Sequence, residues 1–266
     1  MYLNRTSDNS HIYLNPPHHP KNTKLSSWDR LSLYLWGPNP LNSLSLTYFS
    51  TPKVHSFLRI IFMIFHVAVW IWTACDIPHV YDMAAYLTLW GFTICTVYFI
   101  LVNFVKLSDN QSKGWKIAYV LGELGATLEF LICPFFFAFL FPIFLKDKPP
   151  LASVMLQVCL HFFCPLFIWI ETILNGIAFP RNHVWFLVIV CVLYPPNNYL
   201  WTQAWGKPVY PVMDWKTYMT FVYIAGAVVL GFGGYYVGYW QYEKKKNKKC
   251  RDAKTPEKTS IVARLL

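Results

Sequence analysis

IAYVLGELGATLEFLICPFFFAFLFPIFL, residues 117–145, is an apolar run of 29 residues whose only charged side chains are Glu123 and Glu129. As a helix it would measure about 43 Å, against a bilayer hydrocarbon core of about 30 Å. A water-soluble globule has little use for such a segment. Five further runs of similar character flank it, at residues 57–75, 84–105, 151–175, 183–203 and 216–240. The whole chain of 266 residues is 55% hydrophobic, 19% aromatic and only 14% charged, where soluble domains carry about 25% charge. Mean hydropathy is +0.33. The expected fold is therefore all-α, a polytopic bundle of about six transmembrane helices. A polar N-terminal tail (1–56) precedes the membrane domain (57–241), and a basic C-terminal tail (242–266) follows it. In the long run, Pro134 and Pro142 are expected to kink the helix or end it early.

Six crossings put both termini on one side. Nineteen of the 23 Lys and Arg residues fall on that side, and only Lys146, Lys148, Lys207 and Lys216 fall on the other. The first loop opposite the termini holds Asp76 and Asp82 and no basic residue. By the positive-inside rule both termini face the cytosol, or the matrix of a mitochondrion. The net charge of +10 is thus read as orientation and attraction to anionic headgroups, not as nucleic-acid binding, because no basic face with interleaved aromatics lies outside the membrane runs. An endomembrane or the mitochondrial inner membrane fits this pattern.

The seven cysteines include no CxxC pair, and six lie in or beside apolar runs. They read as free thiols, with no disulfide or zinc framework and no metal or cofactor. The N-terminal stretch is polar and rich in Asn, Pro and His, unlike a secretory signal. Within it, residues 27–36 have the spacing of a short interfacial helix, with a plain loop as the alternative. The run of lysines from Lys244 to Lys249 suits a flank that fixes orientation, and also suits anionic lipid or an acidic partner.

Polar groups inside a bilayer are costly, and each needs an account. They are His66, Thr88, Thr93, Thr96, Glu123, Glu129, His161, Glu171 and Asn175. Thr93 and Thr96 are expected to bond the carbonyl one turn back, and a lone His such as His66 to make an interhelical hydrogen bond. Arg59 lies near a helix end and is expected to snorkel to the interface. Thr88 and His161 differ, because the second and fourth helices both start from the side opposite the termini. That places the two side chains about 8 and 15 Å deep. A hydroxyl becomes a nucleophile when an adjacent base takes its proton, a role open to imidazole.

Three stretches extend this pairing: Tyr86-Leu87-Thr88-Leu89; Leu160-His161 with Glu171 ten residues on; and Gly206-Lys207-Pro208-Val209-Tyr210-Pro211. Over roughly residues 84–240 the chain resembles the androgen-induced transmembrane protein family. Some members of that family are intramembrane hydrolases of fatty acid esters of hydroxy fatty acids that use one Thr and one His. The resemblance implies that Thr88 is a nucleophile and His161 its base, and Tyr194 fits the family's fifth helix. Phe162 and Phe163 stand where the family has small hydroxyl residues, Pro165 is one residue nearer the His, and the third helix matches poorly.

The leading expectation is therefore a hydrolase of long-chain acyl esters, with Thr88 and His161 catalytic and Tyr194, Asn197 or Asn198 as donors to an oxyanion. Glu129 could orient the imidazole as a triad acid, or pair with another polar helix residue. The alternative is a non-catalytic accessory subunit of a larger membrane complex whose tails hold neighbouring subunits. A transporter built on Glu123, Glu129 and Glu171 ranks third, since no inverted repeat supports it.

Overall fold

The computed structural model describes residues 51–104, 113–177 and 179–254. The expected interfacial helix at 27–36 lies outside them. Helix α1 (Pro52–Asp76) starts at a proline, which needs no N–H partner there, behind Thr51, whose hydroxyl accepts from the amide of Val54. A 3-10 turn (Val80–Ala85) leads through extended Tyr86 into α2 (Leu87–Phe104). Helix α3 comprises Lys113–Phe135, a π-turn at Phe136–Leu140 and a last stretch, Phe141–Lys146. Helix α4 repeats that plan with Leu151–Val158, a π-turn at Cys159–Phe163 and Cys164–Leu174. Helices α5 (Val184–Trp205) and α6 (Met219–Lys254) complete the set. Each of the six carries a window long and apolar enough to cross a bilayer. The chain is an all-α integral membrane protein.

The prolines do not end α3. In each bent helix a proline follows the first residue of the π-turn by six positions, Pro142 after Phe136 and Pro165 after Cys159. Proline donates no hydrogen bond, so a turn bonded one residue wider accommodates the lost link without leaving the helix. Phe57, Ile64, Leu193 and Val229 point outward, as lipid-facing residues should. Inside, Val69 of α1, Leu89 and Phe92 of α2, and Leu156 and Leu160 of α4 form one apolar cluster.

Helix α3 is central, packing against α2, α4, α5 and α6. Its approach to α2 depends on glycine. A methyl group on Gly125 would stand 2.7 Å from Cys95 Sγ, and one on Gly122 would stand 2.8 Å from the Tyr98 ring. Lipid tails are as apolar as the helices, so close backbone contact supplies the association that the hydrophobic effect supplies in water.

At the face where α1 begins, Glu171 of α4 is fully buried and accepts from Arg59 Nε at 2.8 Å, from the Tyr98 hydroxyl at 2.8 Å and from Asn175 Nδ2 at 3.0 Å. His55 Nε2 lies 2.8 Å from its second oxygen. Lys245 of α6 donates to the carbonyls of Thr172 and Asn175, satisfying acceptors at the end of α4. Arg59 therefore does not snorkel. Its partner on α4 holds it inside, because an unpaired buried carboxylate would cost more than keeping the guanidinium out of water.

On the opposite face, Asp214 fastens the loop before α6. It accepts from the amides of Lys216 and Thr217 and from the hydroxyls of Thr217 and Thr220. These bonds lower its carboxyl pKa to about 2.

Two stability predictions follow from these contacts. Replacing Arg59 by Met should cost about 3 kcal/mol by stranding Glu171, and Arg59→Met with Glu171→Gln should cost less than the two single changes together. Thermal unfolding in detergent reads both. Gly125→Val should destabilise by about 2 kcal/mol through overpacking against Cys95, whereas Gly226→Ala, with open space around it, should change little in the same assay.

Candidate functional site

Thr88 is the second residue of α2, set there by the 3-10 turn and Tyr86, and its hydroxyl lies 3.4 Å from His161 Nε2. Both side chains are buried. His161 sits in the middle of the α4 π-turn. Its Nδ1 is 2.9 Å from the carbonyl oxygen of Gln157, an atom that can only accept, so Nδ1 carries the proton and Nε2 turns a lone pair toward Thr88. The opposing π-turn of α3 lays the Phe136 ring on the imidazole, with centroids 3.4 Å apart and planes 10° from parallel. Two widened turns thus meet face to face, and the ring excludes water from one side of the base.

The carbonyl of Gln157 takes the position a triad acid would occupy. Glu129 does not reach it. That carboxyl lies deeper, beside Gly91, Cys95 and Cys164, fully buried and with no hydrogen-bond partner among the described residues. Gly91 and Cys164 each follow a member of the pair by three residues, so Glu129 sits about one helical turn below Thr88 and His161.

The expected oxyanion donors are otherwise engaged. Tyr194 donates to the carbonyl of Ala85 at 3.0 Å, Asn197 to that of Ala84 at 2.8 Å, and Asn198 to the Tyr194 hydroxyl at 3.2 Å while accepting from Trp215. Tyr210, in the loop before α6, comes closer: its hydroxyl interacts with Tyr194, with the Thr88 side chain, and with the backbone amides of Leu87 and Thr88. Burial pushes this phenol up, so it keeps its proton at neutral pH and can donate. The amides of Leu87 and Thr88 belong to the first turn of α2, where N–H groups have no partner within the helix.

Thr88, Tyr194 and Tyr210 stand at one end of an apolar cavity of about 90 Å³ between α3, α5 and α6. Leu128, Phe135, Leu187, Cys191, Ile224 and Val228 are among its walls.

The remaining polar residues settle into structural roles. Thr96 bonds the Phe92 carbonyl as expected, whereas Thr93 accepts from Trp70 Nε1. His66 bonds a carbonyl of its own helix, at Phe62, and not a neighbouring helix. Glu123 pairs with His183 Nδ1 at 2.7 Å, a partner that sequence reasoning missed because the two lie 60 residues apart. Glu171 and Asn175 meet within the Arg59 network. Among the described residues no group of His, Cys, Asp and Glu could hold a metal ion, and six cysteines are free thiols. No protein-family model, curated protein or solved structure matches the chain.

The geometry of His161 predicts its tautomer. Nitrogen NMR of ring-labelled protein in lipid should show a neutral imidazole protonated at Nδ1, and Gln157→Ala, which keeps both the helix and the backbone carbonyl, should leave that signal in place. A neutral ring protonated at Nε2 would contradict the bonding described.

Proposed function

We propose that the protein is an intramembrane hydrolase of long-chain acyl esters. The observation that carries this reading is the 3.4 Å approach of Thr88 Oγ1 to the unprotonated nitrogen of His161 at the end of an apolar cavity. The distance is longer than a strong hydrogen bond and typical of a nucleophile and base without substrate.

An ester whose carbonyl lies at Thr88 meets each group the reaction needs. Thr88 Oγ attacks the carbonyl carbon as its proton passes to His161 Nε2. The imidazolium that forms stays hydrogen-bonded through Nδ1 to Gln157, which holds the ring in place. Negative charge gathers on the carbonyl oxygen, where the Tyr210 hydroxyl, itself held by the first amides of α2, supports it. When the bond to the alcohol oxygen breaks, His161 returns the proton to that oxygen. Water, giving a proton to Nε2, then attacks the acyl-threonine; the acid leaves and Thr88 regains its hydrogen. Phe136 keeps bulk water off the base throughout.

The cavity wall bears on how substrate arrives. Phe135 and Phe139 of α3 meet the Tyr223 ring of α6, which closes that seam. Between Cys191 and Pro195 of α5 and Ile224 and Ala227 of α6 the lining is only partly covered. An ester dissolved in the bilayer would slide in there without crossing water.

Purified protein in lipid nanodiscs should hydrolyse long-chain acyl esters. Thr88→Ala and His161→Ala should each lower the rate by about a thousandfold or more while the protein stays folded, Thr88→Ser should retain part of it, and Tyr210→Phe should cost about tenfold to a hundredfold. Equal hydrolysis by wild type, Thr88→Ala and His161→Ala would overturn the assignment. No hydrolysis by wild type, together with recovery of the protein in a large stable assembly, would favour an accessory subunit.

A further inference from the structure

The cavity has a floor that is one side chain thick. Leu187 of α5 is almost fully buried and lies against Gly231 of α6, where a methyl group would be 3.6 Å from Leu187 Cδ1. Gly231 leaves a notch in α6, and Leu187 packs over it. Leu187 also borders a second, much smaller crevice of about 10 Å³, lined by Glu123, Thr127, His183 and Tyr235. Above Leu187 the walls are apolar; below it lies a buried ion pair. The boundary between the two is this residue.

We propose that Leu187 is the specificity-determining residue of the ester site, setting how long an acyl chain the cavity accepts; the inference rests on the hydrolase reading above. Its height above the floor follows from helix geometry. Tyr194, level with Thr88, follows the floor residue Leu187 by seven residues of α5, or about 10 Å. On α3, Phe136, stacked on His161, stands eight residues above Leu128, or about 12 Å. An extended hydrocarbon chain advances about 1.3 Å per carbon, so roughly eight or nine carbons span the distance between the carbonyl and the floor.

A longer chain would have to displace Leu187 from its notch, push its end against Glu123 and His183, or bend back through the seam between α5 and α6. None of these is compensated by apolar burial, because the chain leaves lipid that is already as apolar as the cavity. Discrimination is therefore steric. The cavity takes the acyl half of the ester, and the rest of a long-chain substrate stays in the bilayer.

The full chain in nanodiscs, supplied with esters of one alcohol and saturated acids of six to sixteen carbons, provides the test. Wild type should be fastest at roughly eight or nine carbons and fall about tenfold or more by sixteen, the scale of an overpacked interior. Leu187→Ala should move the optimum up by two or more carbons, Leu187→Val should move it less, and Val228→Phe should move it down. The milder Leu187→Val keeps the test open if the alanine variant does not fold. Unchanged profiles in folded Leu187→Val and Val228→Phe would overturn the proposal. A second readout does not need turnover. In His161→Ala protein, saturated fatty acids of each length compete with a photoreactive fatty acid for labelling of the cavity, with and without Leu187→Ala. If wild type hydrolyses no ester, the hydrolase reading fails, yet a shift in this competition series still supports the floor, and no shift overturns it.

Discussion

A bilayer offers the backbone no hydrogen bonds, so every N–H and C=O in its core must find a partner inside the protein. That constraint makes the described residues six apolar helical spans, and it also explains their irregularities. Where Pro142 and Pro165 remove a donor, α3 and α4 widen into π-turns and continue as helices. Each widening rotates the side chains that follow, and the two occur where α3 and α4 face one another. Phe136 and His161 come into contact there as flat surfaces. The candidate site is thus a by-product of repairing two helices, placed where the first turn of α2 delivers Thr88.

The protein separates its polar work into two ends. Where α1 begins, Glu171 gathers Arg59, His55, Tyr98 and Asn175, and Lys245 closes the end of α4. This end is saturated with partners and joins α1, α2, α4 and α6. At the other end the Thr88–His161 approach is longer, and an apolar cavity adjoins it. Rigidity at one end and space at the other is the division expected of a scaffold that holds a site.

The spans were legible because lipid dictates composition directly, and Thr88 with His161 was legible because topology puts both at similar depth from one face. What escaped was whatever depends on rotation or on distant sequence. The stack of Phe136 on His161 needs the register of two π-turns. Arg59 reads as an interfacial residue from its position alone, since the carboxylate that draws it inward is 112 residues away. Tyr210 lies in a quoted stretch, yet only the loop anchored by Asp214 brings its hydroxyl to Thr88. Tyr194, Asn197 and Asn198 read as oxyanion donors from their position alone, but their protons are spent on Ala85, Ala84 and Tyr194.

The Arg59–Glu171 pair also bears on how the protein is made. At elongation rates of about 5–20 residues per second, α1 waits on the order of 6 to 20 s before its partner on α4 is synthesised. Through that interval the guanidinium has no counter-charge on α4 and must rest at the headgroups, where its length allows it to reach. The snorkelling position that the finished protein abandons is the one the nascent chain requires. Arrival of α4 then withdraws the arginine from the surface, so closure of this ion pair marks the moment when the first helix ceases to be an independent anchor and becomes part of the bundle.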